Sequence, residues 1–122
     1  MPGNADWPEW DAQVIGGHYT GHHGHGPVTH IMASAADETL LRGVTVPFDS
    51  DAWFYKVSPL QKGAKPILTG EIPGQPREPV AWTFTRADGG RTFFTSLGNP
   101  VDFQNGSFQQ LLRNGLLWAA GR

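Results

Sequence analysis

Apolar and polar residues change their spacing several times along the chain, and each change marks an element. Asp6-Trp7-Pro8-Glu9-Trp10-Asp11-Ala12-Gln13-Val14-Ile15 begins as an Asp-x-x-Glu variant of the capping box. Proline and acidic residues stand where a first helical turn accepts them, and the paired Gly16-Gly17 supplies a stop. The pattern predicts a short helix ending at Gly16. From Gly16 to Pro27 five glycines are interleaved with four histidines, which gives the backbone too much freedom for a helix and predicts a loop. Val28-Thr29-His30-Ile31-Met32 then alternates with a period of two. Val28, His30 and Met32 share one strand face, Thr29 and Ile31 the other, and the apolar flanks of His30 predict that it turns inward.

Asp37 to Arg42 fits one or two helical turns that Gly43 terminates, and strand-like stretches follow at Trp53 to Val57 and Ile67 to Thr69. The clearest supersecondary signal is Val80 to Arg86, the turn Ala87-Asp88-Gly89-Gly90, and Arg91 to Ser96. β-Branched and aromatic residues on either side of an Asp-Gly turn predict a β-hairpin. The closing segment places Phe108, Leu111, Leu112, Leu116 and Ala119 at helical spacing, opposite Gln109, Gln110, Arg113 and Asn114. Ser107 is the expected cap of that helix and Gly121 its end. Asn105-Gly106-Ser107 also reads as a glycosylation sequon, but a helix start explains it more simply.

Composition narrows the function classes. With 122 residues, 39% hydrophobic and only 16% charged, residues 1–122 read as a single globular domain. Sixteen glycines and ten prolines favour short elements joined by many turns. A net charge of -2 without a basic tract argues against nucleic acid as a partner. The absence of cysteine removes disulfides, thiolate metal sites and a cysteine nucleophile. No basic start followed by an apolar core is present, nor an apolar run of membrane-spanning length, so a cytoplasmic protein with no membrane partner is expected.

Candidate chemistry gathers in the histidine-rich loop. His18, His22, His23 and His25 fall within eight residues. Neutral imidazoles on a glycine-rich loop can converge on a divalent cation such as zinc, although no dedicated ligand spacing is present. The same residues suit proton transfer, since histidine titrates nearest neutrality. Asp49, Asp51 and Glu71 are the carboxylates available to orient an imidazole or complete a ligand set. Trp53 and Tyr55 offer faces for stacking on a sugar ring, against the simpler use of aromatics as core area. Ser96 and Asn99 follow a strand directly, where an α/β sheet places its binding crevice. The alternative there is a turn closed by Asn99-Pro100.

Several segments in order resemble the ThuA-like family, the trehalose-utilisation group with a fold similar to class I glutamine amidotransferases. They are Trp7-Pro8-Glu9-Trp10 running into Gly16-Gly17-His18-Tyr19, then Leu41-Arg42-Gly43-Val44, Trp53 to Val57, Pro79-Val80-Ala81-Trp82, Gly89 to Gly98, and the final Trp118-Ala119-Ala120-Gly121. The likeness runs from Trp7 to Gly121 and covers only the C-terminal half of such a domain. It implies a truncated, flavodoxin-like α/β fold whose mixed sheet carries the hairpin and the closing helix. It also implies a link to disaccharide metabolism. His18 and Tyr19, with His22 or His23, are the polar positions carried over as a catalytic centre. The family tends to show histidine after the Leu-Gly that follows the last strand, where this chain has Asn99, and without cysteine amidotransferase chemistry is excluded.

Two expectations about function follow. One is a domain that binds or acts on a carbohydrate-derived small molecule through the loop. The other is a non-catalytic oligomeric module. Without the family's parallel layer, Phe84, Phe93, Phe94, Leu112 and Trp118 would be partly uncovered, which predicts a homo-oligomer. The competing arrangement has the amino-terminal helix fold back, with Trp7 and Trp10 as the plug.

Overall fold

The computed structural model describes residues 9–17, 21–22, 28–34, 37–51 and 55–121. After a π-helical turn, Asp11–Ile15, come strands β1 (Gly21–His22) and β2 (Thr29–Ala33), helix α1 (Glu38–Leu41), and strands β3 (Phe48–Ser50), β4 (Tyr55–Lys56), β5 (Ala64–Glu71), β6 (Glu78–Thr85) and β7 (Arg91–Thr95). A 3-10 turn, Asp102–Gln104, leads into helix α2 (Gly106–Ala119). Five strands form one sheet in the order β3-β2-β5-β6-β7, and β1 pairs with β4 separately. All described strand pairs are antiparallel. Among the described residues no helix is long and apolar enough to cross a membrane.

Helices α1 and α2 cover the inner face of the sheet. Ile31, Leu68, Val80 and Ala81 meet Leu40, Phe108 and Leu111 there, and all are buried. This core decides which way β2 faces. Ile31 is fully buried and Thr29 nearly so, while His30 is exposed, the reverse of the expected orientation. An isoleucine seated in the core outweighs the apolar character of Val28 and Met32, because a strand can place only one of its faces inward.

Short-range signals hold where local chemistry is strong. Asp37 caps α1 by accepting the Leu40 amide at 2.9 Å, and Gly43 ends the turn with φ of 75°. The hairpin closes at Arg86 to Gly90, with Gly89 at φ of 85°. Gly121 follows α2 with φ of 81°. The cap of α2, however, is Asn105, whose Oδ1 accepts the amides of Ser107 and Phe108. Ser107 instead accepts the Thr45 amide at 2.9 Å and so ties the α1–β3 connection to the helix.

The inward stripe of α2 also differs from the spacing argument. Phe108, Leu111 and Gly115 are buried, whereas Leu116 is 71% exposed. The stripe is rotated because Asn114 is needed against α1, donating from Nδ2 to the carbonyls of Leu40 (2.8 Å) and Arg42 (2.9 Å). Those acceptors lie at a helix end and would otherwise lack partners.

On the outer face a second cluster joins Val57, Trp82 and Phe84 to Ile15, Tyr55, Leu60 and Phe94. The Trp82 indole donates to the Ile15 carbonyl at 2.7 Å, and its ring stacks on Phe94 at 4.4 Å. Gly16 and Gly17 do more than end the π-helical turn. A Cβ on Gly16 would lie 2.7 Å from Phe84 Cγ, and one on Gly17 2.9 Å from the Trp82 ring, so only glycine brings the backbone this close. The amino-terminal segment therefore lies over this part of the sheet. Phe84 is buried and Phe93, Phe94, Leu112 and Trp118 are half-buried. Among the described residues the large exposed apolar ones are Val28, Val101, Phe103, Leu116 and Leu117.

Candidate functional site

Asp51 and the residues from Tyr55 to Ser58 each touch a part of the predicted site. Asn99 Nδ2 donates to the Asp51 carbonyl at 3.0 Å and to Asp51 Oδ1 at 3.2 Å. Further on, β4 pairs with β1 so that His22 stands directly opposite Tyr55 and Gly21 opposite Lys56. After β4 the chain meets Glu78, whose Oε1 accepts the amides of Val57 (2.7 Å) and Ser58 (3.0 Å). Asn99 thus holds Asp51, while β1 and Glu78 hold Tyr55 to Ser58.

Of the sequence-predicted residues, His22 and Tyr55 are brought together by strand pairing, and Asn99 is bonded to Asp51. Tyr55 is half-buried against Val57 and Trp82 in the outer cluster, which is the core use of an aromatic, with one edge left to the surface. Ser96 is half-buried, and its amide donates to the Val80 carbonyl at 3.0 Å. His18, Tyr19, His23, His25 and Trp53 lie outside the described residues, as does the His22 side chain. The expected zinc site rests on those histidines. Among the described residues no group of three or more histidine, aspartate or glutamate side chains lies close enough to hold a metal ion. Asp49 on β3 and Glu71 on β5 stand on either side of His30 in the sheet.

Two buried carboxylates that sequence reasoning passed over do most of the positioning. Asp102, 3% exposed, accepts the Ser50 hydroxyl (2.8 Å) and the amides of Gly98 (2.9 Å) and Asn99 (3.1 Å). It thereby fixes the turn that presents Asn99 and the end of β3 that leads into Asp51. Glu78 likewise fixes the backbone that follows β4, through the Val57 and Ser58 amides. A buried carboxylate is tolerable only when donors surround it, and here they are mainly backbone amides. In sequence, Asp102 follows Asn99-Pro100 by two residues, a spacing that marks a turn held by a side chain. Glu78 carries no such mark beyond standing one residue before a proline at the head of an apolar strand.

Comparison with known proteins follows the same line. A family model described as ThuA, trehalose utilisation, matches residues 2–119. Among curated proteins, none matches this sequence. The fold is similar to the crystal structure of a protein from Bacteroides uniformis described as ThuA-like, with a TM-score of 0.75 at 14% identity. The alignment covers 98% of this chain and 54% of that one, so this chain spans about half the length of that relative.

Proposed function

The chain belongs to the ThuA, trehalose-utilisation, family, and from that membership we propose that it binds a carbohydrate-derived small molecule at the histidine loop, next to the paired β1 and β4. The observation that supports this reading most is the pairing of His22 with Tyr55. Imidazole, phenol and carboxamide offer both donors and acceptors, as sugar hydroxyls require, and Tyr55 adds a ring face. His18, Tyr19, His22 and His23 supply proton transfer in this reading, and Trp53 is its other candidate for stacking. The second reading, a non-catalytic oligomeric module, draws on the exposed Leu116 and Leu117 of α2.

Saturation-transfer NMR with trehalose as the probe, in parallel with and without zinc, tests the proposal. Saturable transfer is expected, weakened roughly tenfold in Asn99→Ala and Tyr55→Ala by the loss of one or two ligand contacts. Dependence on added zinc would assign a metal to His18, His22, His23 and His25. No transfer from trehalose in either arm at millimolar concentration would overturn the ligand reading and leave the oligomeric module.

A further inference from the structure

We propose that Trp82 is a positioning residue for the histidine loop and that it acts on the loop through Gly17. The first part of the loop, residues 17–22, has both of its described ends on one apolar cluster. At the entry, the Trp82 indole donates from Nε1 to the Ile15 carbonyl at 2.7 Å, and the Gln61 amide donates to the Gly16 carbonyl at 2.8 Å. A Cβ on Gly17 would lie 2.8 Å from Leu60 Cδ2, 2.9 Å from Trp82 Cζ2 and 3.3 Å from Trp82 Cη2. At the exit, Gly21 and His22 pair with Lys56 and Tyr55. Leu60 and Tyr55 both pack on the cluster of Val57, Trp82 and Phe84, in which Trp82 is fully buried.

The two glycines at the entry are not equivalent. Gly16 has φ of 85°, a left-handed conformation that itself favours glycine. Gly17 lies outside that region, so its missing Cβ answers to space and not to backbone strain. The indole edge is what occupies that space. Leu60 Cδ2 is the free end of a flexible side chain and can turn aside, whereas the buried Trp82 ring is held by the Ile15 carbonyl and by its stack on Phe94 at 4.4 Å. Consecutive Cα atoms are about 3.8 Å apart, so His18 is carried within that distance of a residue fixed against Trp82. Thr20 is bonded in the same way to the strand-paired Gly21. A shift of the indole edge moves Gly17, and Gly17 carries His18. The inference deepens the loop reading and rests on it only for the ligand arm of the test: it assigns the loop's placement to a residue that the ligand need not touch.

The test reads the placement of His18 and the binding of ligand separately. Imidazole signals of the whole chain are recorded by proton–carbon NMR at fixed pH in the parent, Gly17→Ala, Trp82→Phe and the double variant, with His18 assigned by the loss of its signal in His18→Gln. Gly17→Ala should shift the His18 signal and leave that of His30, on a strand two places from β6 in the sheet, where it was. Trp82→Phe removes the indole N–H and the ring edge but keeps an aromatic side chain, and should shift His18 as well; it decides the point alone if Gly17→Ala does not fold. In the Trp82→Phe background Gly17→Ala should add little, because a phenyl ring does not reach the positions of Cζ2 and Cη2. Saturation transfer from trehalose should weaken roughly tenfold in Gly17→Ala, for the loss of one or two ligand contacts. A His18 signal that moves in the variants while the parent shows no transfer from trehalose supports the positioning role and removes the carbohydrate reading. An unmoved His18 signal in the single variants, or an equal effect of Gly17→Ala in the two backgrounds, would overturn the proposal.

Discussion

Gly115 stands in the middle of α2, where helix propensity alone recommends alanine. Replacing an interior helical glycine with alanine ordinarily stabilises by about 1 kcal/mol, because the unfolded chain loses freedom it no longer has to give up. Here the added Cβ would lie 2.4 Å from Phe93 Cδ2, 2.5 Å from Cγ and 2.6 Å from Cε2. Those atoms belong to the root and near edge of a ring, and the Phe93 ring is set in the strand face beneath the helix, so it cannot swing clear like the end of a lysine. Relief requires α2 to lift from β7, which would strain the Arg91 contact to the Trp118 carbonyl (3.0 Å) and the guanidinium stacked 5.1 Å from the Trp118 ring. Overpacking of this kind costs roughly 1–3 kcal/mol. Against the propensity gain, Gly115→Ala should therefore destabilise by about 1 kcal/mol, a fall in melting temperature of roughly 4 °C for a chain of this size. The assay is urea unfolding followed by tryptophan fluorescence, repeated in a Phe93→Ala background. With the ring gone the sign should invert, and alanine at position 115 should stabilise by about 1 kcal/mol, a coupling of about 2 kcal/mol. Stabilisation by Gly115→Ala in the otherwise native chain would refute the close approach of α2 to Phe93.

Two further outcomes test other contacts. Trp82→Ala should cost about 3–5 kcal/mol, because a fully buried ring that stacks on Phe94 and holds the amino-terminal segment through the Ile15 carbonyl is lost. Trp82→Phe should keep most of the packing but expose residues 9–17 to protease, and equal resistance in the two chains would show that the indole bond does not hold that segment. For Asp37, burial raises the carboxyl pKa, but the Leu40 amide and the Lys65 ammonium together lower it further, and the net position is below the usual value. The unfolded state then binds the extra proton, so this contribution is full above the ordinary aspartate range and fades as pH falls through the lowered value. Asp37→Asn should flatten the acid limb of the stability curve while keeping the cap, and an acid limb unchanged from the parent chain would contradict the assignment.

Legibility in the sequence followed the range of the interaction. The hairpin was readable because Asp88-Gly89 and the flanking aromatics act within a few residues, and α1 because Asp37 and Gly43 bracket it. Residues Phe48–Ser50 gave no such cue. A three-residue strand containing an aspartate and a serine pairs with β2 only because Phe48 lies across from Ile31 and reaches the core. The cap of α2 was misplaced by two residues because Asn105 and Ser107 are both good caps, and only the Thr45 amide, 62 residues away in sequence, settles which side chain is free for the task.

The site was half legible for a related reason. Asp49 and Glu71 were recognisable as carboxylates able to orient an imidazole, but which imidazole depends on register, and register is a property of strands that meet only in the fold. Once Ile31 is committed to the core, His30 must face outward, and Asp49 and Glu71 are then its cross-strand neighbours. The same logic explains why Asp102 and Glu78 escaped notice. Their donors are backbone amides of Val57, Ser58, Gly98 and Asn99, groups that every sequence possesses and that no residue type advertises. Side chains that bind side chains leave a pattern in composition, whereas side chains that bind backbone are visible only when the turn they hold has been built. That distinction carries a consequence for Asp102→Leu: a side chain of similar shape can accept from none of the Ser50 hydroxyl and the Gly98 and Asn99 amides. The turn that carries Asn99 should loosen even though the substitution is nearly isosteric, and the Asn99 side-chain signals in an NMR spectrum should broaden or shift while those of the hairpin stay in place.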